Sequence, residues 1–338
     1  MSPGALKTVA LLLLAACATL SAANTELVLV SRDVYLMGTR ARLSAYAETR
    51  EHGAAALESA LDAIEATEEE LSTWRPSSEI SALNRHPVGE AWTATPRVCR
   101  MLVDVWAWHR ATGGAFDPAI GRLLAAWDVH GDGAVPTDDA SLTARASSGL
   151  ALLGFDDDDC TLTRRADVAI DVGAFGKGEA LDRVADVLGD RPWMIDLGGQ
   201  IAVGGRSLMD GAWPIGIAHP RQRDVPVLQV EMTTGSLSTS AGSERDLDVD
   251  GARVGHVLDP RTGRPAEFSG SVSVWHERGL AADVLSTALY VMGPEEGIPW
   301  ADSRDIAACY LIPMQGTLRI EMTRAFRQLL PTPSTAPA

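Results

Sequence analysis

Short apolar and β-branched runs alternate along the chain with longer segments of helical periodicity. The runs predict strands at residues 27–30, 166–172, 193–197, 213–217, 225–232, 271–275 and 308–312. Strands that mix with helices without a regular β–α–β alternation favour an α+β fold over a doubly wound parallel sheet.

Four segments have the apolar spacing of amphipathic helices, and their ends carry typical boundary residues. They cover residues 53–71, a segment from Thr95 to the Gly113–Gly114 pair, a segment from Gly178 to Gly189, and residues 280–292 closed by Gly293. In the second segment Thr95 is the expected N-cap, because Pro96 follows it in the first turn.

Composition and charge limit the classes of partner. The chain has 338 residues, of which 46% are hydrophobic, enough for a core of ordinary size. Asp and Glu number 45 against 29 Lys and Arg, a formal charge of −16 that repels nucleic acid and anionic lipid. A phosphate-bearing ligand would therefore need a local cation or a metal. The chain has two lysines, Lys7 and Lys177, and Lys177 stands out for that reason.

The N-terminal residues indicate export. Lys7 precedes an apolar run, residues 9–16, that is too short to span a bilayer and fits the core of a secretory signal. The run ends in Leu-Ala-Ala-Cys17, which resembles a lipobox whose cysteine is lipidated. The alternative is simple cleavage near Ala22 or Ala23. We expect an exported protein at the periplasmic face of a bacterial membrane, touching the membrane only through a lipid on Cys17.

We predict one domain for the rest of the chain. We expect a signal peptide over residues 1–23, a domain over 24–330 and a disordered tail over 331–338, which is rich in Pro, Ser, Thr and Ala. The cysteines of the domain are Cys99, Cys160 and Cys309. Their odd number argues against a full disulfide framework and predicts buried thiols.

The first segment with candidate chemistry is a glycine-rich turn at residues 170–178. It leads from a predicted strand into the third helix, so it points backbone N–H groups and the positive helix end toward an anion. Lys177 adds a point charge at this turn. The alternative is a turn that only caps the helix. The spacing matches neither GxGxxG nor a P-loop and does not support a Rossmann or Walker site.

The second segment opens the fourth helix. Asp283 and Thr287 are four residues apart and share a helix face beside an apolar arc. A carboxylate and a hydroxyl at this spacing suit Mg²⁺, which takes few protein oxygens and completes its shell with substrate phosphate and water. The alternative role for Asp283 is interaction with the helix dipole in the first turn.

The third segment, residues 255–263, is a strand end followed by an Asp-Pro turn. His256 is the last ionisable group before that turn, and a histidine can act as a general base near neutral pH. The alternative is a histidine with only a hydrogen-bonding role. The other six histidines show no HExxH or other ligand spacing, so the sequence gives no sign of a zinc site.

The fourth segment, residues 112–118, places glycines beside Phe116 and Asp117. With Met37 and Trp74 upstream, it offers apolar surface and a hydrogen-bond acceptor, which suit a heteroaromatic ring with an exocyclic amine. The alternative is an ordinary helix end.

Eight segments, taken together and in their order along the chain, resemble the FAD:protein FMN transferases of the ApbE family. The resemblance runs from Met37 to Gly293. Its segments are residues 37–39, 71–84, 114–117, 171–178, 196–199, 239–245, 256–263 and 282–287. It implies a two-part, T-fold-like α+β architecture with mixed sheets and packed helices.

The resemblance also implies a reaction and a set of site residues. FMN passes from FAD to a Thr or Ser hydroxyl of an acceptor flavoprotein of a membrane redox complex, through a phosphoester bond, and AMP leaves. Asp283, Thr287 and the backbone carbonyl of Ala174 would hold Mg²⁺, and His256 would move the proton of the acceptor hydroxyl. The residues expected to contact FAD are Met37, Trp74, Ala115, Phe116, Asp117, Asp171, Lys177 and Val257.

Two departures from the family pattern leave alternatives open. Residues 241–243 read Ala-Gly-Ser where the family usually has Gly, then Asp or Asn, then Tyr, and Glu179 stands where Tyr is common. Both lie where acceptor contacts are expected. One alternative is a Mg²⁺-dependent FAD pyrophosphatase that releases FMN and AMP, and the other is a non-catalytic FAD-binding lipoprotein.

Overall fold

A computed structural model describes residues 27–207, 211–242, 247–249 and 252–331 of the protein. The expected signal peptide, the lipobox with Cys17 and residues 332–338 of the expected tail lie outside the described residues. In the part of the chain that is described, no helix combines the length and apolarity needed to cross a bilayer.

The described residues form eight α-helices and seventeen strands. The helices are α1 (Arg50–Leu71), α2 (Glu79–Arg85), α3 (Pro96–Ala111), α4 (Gly121–Ala126), α5 (Asp138–Ala146), α6 (Gly176–Leu188), α7 (Gly279–Asp302) and α8 (Arg324–Arg327). The strands are β1 (Val28–Leu36), β2 (Thr39–Ala47), β3 (Ala91–Thr93), β4 (Leu153–Asp156), β5 (Thr161–Arg164), β6 (Trp193–Leu197), β7 (Gln200–Gly204), β8 (Trp213–His219), β9 (Gln222–Met232), β10 (Gly235–Ala241), β11 (Leu247–Val249), β12 (Ala252–Val254), β13 (Leu258–Asp259), β14 (Arg264–Pro265), β15 (Ser271–His276), β16 (Ala307–Pro313) and β17 (Leu318–Met322).

One eight-stranded sheet is the largest sheet of the described structure. Its order is β1-β2-β6-β7-β10-β15-β16-β17, and four small sheets of two or three strands surround it in the described residues. The α+β class predicted from the sequence is confirmed. Mixed sheets were expected together with this class. Every described strand pairing is antiparallel instead.

Both faces of the large sheet are buried, and alternate residues of β16 show the division. Ala308 and Tyr310 join the core that contains α3 and α7, whereas Cys309 and Leu311 join the core beneath the β8–β9 hairpin and α8. Side chains of successive strand residues point to opposite faces, so β16 contributes to two cores. Helices α1 and α6 pack together over β2 and β6.

Most of the strands and helices predicted from local pattern are confirmed, with boundaries shifted by a few residues. The predicted N-cap Thr95 accepts a hydrogen bond from the Val98 N–H at 3.4 Å. Gly293 has a φ of 69° and interrupts α7, which resumes at Pro294. A residue with positive φ cannot continue a right-handed helix, and proline is favoured in a new first turn.

The strand predicted at residues 166–172 is wrong, because this extended segment joins no sheet in the described structure. The Asn84 side chain donates to the Ile170 carbonyl and accepts from the Ile170 N–H, both at 2.8 Å. The Asp171 N–H donates to the Pro118 carbonyl at 2.8 Å. These bonds satisfy the backbone in place of a ladder partner and direct the chain into α6.

The expectation of three unpaired thiols is wrong for two cysteines. Cys99 on α3 and Cys160, in the turn between β4 and β5, form a disulfide across 61 residues of sequence. Cys309 is a buried thiol as predicted, and burial raises its pKa to about 12. An odd number of cysteines excludes a fully paired set, but it does not exclude one pair.

We expect the disulfide to stabilise the fold by closing a long loop. Replacing both Cys99 and Cys160 by serine should lower the free energy of unfolding by roughly 2–4 kcal/mol. Urea unfolding of the purified protein, with and without dithiothreitol, measures this. Reductant should lower the stability of the wild type toward that of the double variant and leave the double variant unchanged. A wild type insensitive to reductant, with reactive thiols at Cys99 and Cys160, would contradict the pairing.

Candidate active site

The N-terminal ends of α6 and α7 cross at two glycines. A Cβ atom placed on Gly178 would lie directly against the carbonyl of Gly279, and a Cβ on Gly279 would lie 2.6 Å from the Gly178 carbonyl oxygen. No side chain fits at either position without moving a helix. The backbones of the two helices can therefore touch at this point, which brings the residues of their first turns together.

A carboxylate from α6 caps α7 at the same crossing. Asp182 accepts hydrogen bonds from the backbone N–H groups of Gly279 and Leu280, the latter at 3.2 Å. Burial raises the pKa of the Asp182 carboxyl, and these N–H donors together with Arg278 oppose that rise. The cap satisfies two of the otherwise unpaired N–H groups at the start of α7 and fixes that helix relative to α6.

Asp283 lies one turn into α7 with a side chain that is only 5% exposed, and its carboxylate faces the start of α6. It accepts from the Lys177 ammonium at 3.2 and 3.3 Å and from the Gly178 N–H at 3.1 Å. A third donor, the Ser238 hydroxyl on β10, lies 3.4 Å from Oδ1. A buried carboxylate needs hydrogen-bond donors, and these come from two different elements, α6 and β10.

Serine hydroxyls connect Asp283 with the neighbouring strand. The Ser286 hydroxyl lies 3.0 Å from that of Ser238 and 2.9 Å from that of Ser240. The chain of hydroxyls thus runs from the carboxylate to Ser240 on β10. Each hydroxyl supplies one proton, so the chain holds Asp283, α7 and β10 in one arrangement.

One cleft beside this crossing brings together seven of the predicted site residues. They are Asp171, Ala174, Lys177, His256, Val257, Asp283 and Thr287. The glycine-rich turn and α6 supply the first three, the segment before β13 supplies the next two, and α7 supplies the last two. Residues that the sequence separates by more than a hundred positions therefore face the same space.

Met37 and Trp74 lie close to the cleft, each in its own surroundings. Met37 has a φ of 48° in the β1–β2 turn, and its Cε lies 3.7 Å from where a Cβ on Gly176 would be. Trp74 is 71% exposed, and its ring meets that of His130 at 5.2 Å between centroids. An indole this exposed offers a face for a planar ligand.

Ala115, Phe116 and Asp117 are buried beside the cleft, which corrects the expectation that Phe116 and Asp117 present their side chains to a ligand. Phe116 is 1% exposed and packs edge-on against Phe175. The Asp117 carboxylate accepts from the Ala119 N–H at 2.8 Å and the Leu150 N–H at 3.0 Å. Burial raises its pKa, and His109 and these N–H groups oppose the rise. A role for these three residues in FAD binding stays a prediction.

Sequence reasoning missed His130, which also lines the cleft. Its Nε2 lies 3.3 Å from Oδ2 of Asp171, whose Oδ1 accepts from the Gly173 N–H at 2.8 Å. The only local signal was a histidine followed by Gly-Asp-Gly, which is typical of any polar loop. Arg223 of β9 is a second lining residue that sequence reasoning missed.

The donor set of the cleft suits Mg²⁺. Among the described residues, no three His, Cys, Asp or Glu side chains are grouped closely enough to hold a metal ion. Asp283, the hydroxyl of Thr287 and the backbone of Ala174 line the same cleft, and all provide hard oxygens. The Thr287 hydroxyl donates to the Asp283 carbonyl at 3.2 Å, so its lone pairs are available to a cation. These residues fit the ion that the sequence suggested.

A match to a protein-family model identifies the family of the chain. The model of the ApbE family matches residues 37–311, which is most of the protein and includes every residue of the cleft named above. The chain belongs to the ApbE family.

Named relatives and solved structures agree with this assignment. Proteins named FAD:protein FMN transferase from Vibrio cholerae and Treponema pallidum are 28% and 30% identical; each alignment covers 79% of this chain, and they cover 82% and 79% of those proteins. The crystal structure of an ApbE protein from Thermotoga maritima superposes with a TM-score of 0.83 at 26% identity, covering 90% of this chain and all of the other. The apo flavinyl transferase ApbE of Pseudomonas stutzeri gives 0.79 at 27% identity, covering 90% and 97%.

The helix crossing predicts opposite effects for two nearby glycines. Gly178→Ala should lower the free energy of unfolding by about 1–3 kcal/mol, because the added methyl forces the backbones of α6 and α7 apart. Gly176→Ala is the matched control, since its Cβ would meet Val172 at 3.5 Å and Met37 at 3.7 Å, both ordinary van der Waals distances. We expect it to be neutral or stabilising by up to about 1 kcal/mol. Urea unfolding compares the two, and equal stabilities would contradict the crossing.

Proposed function

We propose that the protein transfers FMN from FAD to a Thr or Ser hydroxyl of an acceptor protein and releases AMP. The observation that carries this proposal is the junction of the glycine-rich turn, Lys177 and the buried carboxylate of Asp283 in one cleft. The named relatives are FAD:protein FMN transferases, which supports the same reaction for this chain.

The cleft supplies what phosphoryl transfer requires of a protein. A chain with a net charge of −16 repels the diphosphate of FAD unless cations are placed locally. Lys177 and Arg223 provide two lining cations, and the start of α6 lies beside them. Mg²⁺ held by Asp283, Thr287 and the Ala174 carbonyl would neutralise charge on the phosphate oxygens. The dinucleotide would thus be bound and oriented by groups already in place.

Transfer exchanges the phosphoanhydride bond of FAD for a phosphoester bond to the acceptor. The acceptor oxygen forms a bond to the phosphorus on the FMN side of FAD, and the bond from that phosphorus to the bridging oxygen breaks. AMP leaves with the bridging oxygen and its electron pair. His256 lines the cleft with Asp283 and Thr287, and we assign it the proton of the attacking hydroxyl.

The cellular setting is part of the proposal. We propose export to the periplasmic face of a bacterial membrane, with a lipid on Cys17, beside an acceptor flavoprotein of a membrane redox complex. The signal-like N-terminus supports this setting. The Cys99–Cys160 disulfide supports it further, because such bonds persist in oxidising compartments.

The metal assignment gives a direct test of the proposal. The wild type, incubated with FAD, Mg²⁺ and an acceptor domain carrying the target threonine, should yield an acceptor with covalently bound FMN and an equal amount of AMP. EDTA should stop the reaction and excess Mg²⁺ restore it. Asp283→Asn, which keeps the side-chain volume in its buried site, should lower kcat by at least about 100-fold. Mass spectrometry of the acceptor measures the product.

Glu295→Gln is the matched control, because Glu295 is an exposed acid on the same helix. It should transfer FMN at the wild-type rate. Wild-type activity in Asp283→Asn would contradict the ligand assignment. FMN and AMP produced at the same rate with and without acceptor would indicate a pyrophosphatase instead, and tight FAD binding without turnover would indicate a binding protein.

Loss of His256 should separate chemistry from binding. We expect His256→Ala to lower kcat by about 100-fold or more, because no group then takes the proton of the acceptor hydroxyl. The Kd for FAD should change by less than about threefold. Single-turnover transfer gives the first quantity and flavin fluorescence titration the second. Equal losses in both would make His256 a binding residue and contradict the assigned role.

A further inference from the structure

Three residues from distant parts of the sequence form a row of contacting side chains beside the cleft, here called the wall. Trp74 follows α1, His130 lies in the loop between α4 and α5, and Asp171 precedes α6. His130 contacts both of the others: its ring meets Trp74 at 5.2 Å and an angle of 73°, and its Nε2 lies 3.3 Å from the Asp171 carboxylate. His130 is therefore the middle member of the wall.

The loop that carries His130 is held by one hydrogen bond to another segment and by one within the loop. Trp127 donates from its indole N–H to the Gly263 carbonyl at 3.0 Å, which ties the loop to the turn after His256. Asp128 accepts from the Asp132 N–H at 3.2 Å and so closes the loop beneath His130. These two hydrogen bonds hold the loop segment on which His130 lies.

Trp74 needs such support if it binds a ligand. With 71% of its surface exposed, the indole can otherwise sample several rotamers, and fixing one of them on binding costs affinity. An edge-to-face contact with His130 selects one orientation beforehand. The Asp171 carboxylate is oriented as well, because it is held between Nε2 of His130 and the Gly173 N–H.

We propose that His130 is a positioning residue that holds Trp74 and Asp171 as one recognition wall for a planar heteroaromatic ring bearing an N–H donor. The ring would lie on the indole and donate to the carboxylate. This inference rests on the proposed function, in which FAD is the substrate. FAD carries two such rings, the adenine and the isoalloxazine, and the experiment below distinguishes them.

The test measures binding to the full chain by flavin fluorescence, without acceptor or metal. His130→Ala should weaken FAD binding by about 3- to 10-fold, the size of one aromatic pair. His130→Phe keeps the ring edge and loses the nitrogen, so its loss should be smaller. His52→Ala is the control, since His52 is an exposed histidine on α1 outside the cleft. Circular dichroism and melting temperatures verify that each variant folds.

Two further readouts distinguish positioning from a general structural effect. In a Trp74→Ala background, His130→Ala should weaken FAD binding by a smaller factor than it does in the wild type, because one of the two partners of His130 is already gone. In the transfer assay, the KM for FAD should rise with the Kd while kcat at saturating FAD stays within about twofold. Weakened binding of AMP by His130→Ala would identify the adenine as the bound ring, and weakened binding of FMN the isoalloxazine.

The outcomes also separate this inference from the proposed function. Wild-type FAD binding with an unchanged Kd in His130→Ala would overturn the inference alone, as would losses that simply add in the double variant. The predicted coupling without any transfer to an acceptor would support the inference and overturn the proposed function. A wild type that does not bind FAD would overturn both.

Discussion

The contact between α6 and α7 at Gly178 and Gly279 is the constraint on which the rest of the site depends. Only glycine allows the two backbones to come this close, and the approach puts the Gly178 N–H and the Lys177 ammonium against the buried Asp283 carboxylate. Asp182 then holds the start of α7 in place. Under the proposed function, this approach would put a cation site and an anion site next to each other, and a metal bound to a diphosphate needs both.

The large sheet makes this contact possible by burying both of its faces. Helices α6 and α7 lie over one face, where α6 packs on β2 and β6 and α7 packs on β15 and β16. Ser238 and Ser240 on β10 reach up from the sheet to Asp283 and Ser286. The site is therefore attached to rigid elements, whereas the ring-binding wall of Trp74 and His130 comes from loops held at their bases.

Local signals in the sequence were sufficient for many elements, and together with the family resemblance they predicted seven residues that line one cleft. Thr95 and Gly293 act through their own backbone neighbourhoods, so their helix boundaries were predictable. Tertiary partners decided the rest. Asn84 replaced the sheet partner expected for residues 166–172, Cys160 paired with a cysteine 61 residues away, and Leu150 engaged the Asp117 carboxylate. No periodicity encodes such partners, and His130 was missed for the same reason.

We propose that Asp283 binds a divalent ion at the diphosphate of FAD. Replacing Mg²⁺ by paramagnetic Mn²⁺ and recording the phosphorus resonances of bound FAD tests it most directly. We predict strong broadening of both phosphorus signals in the wild type and none in Asp283→Asn with FAD still bound. Unbroadened phosphorus signals in a wild type that holds both Mn²⁺ and FAD would contradict the claim.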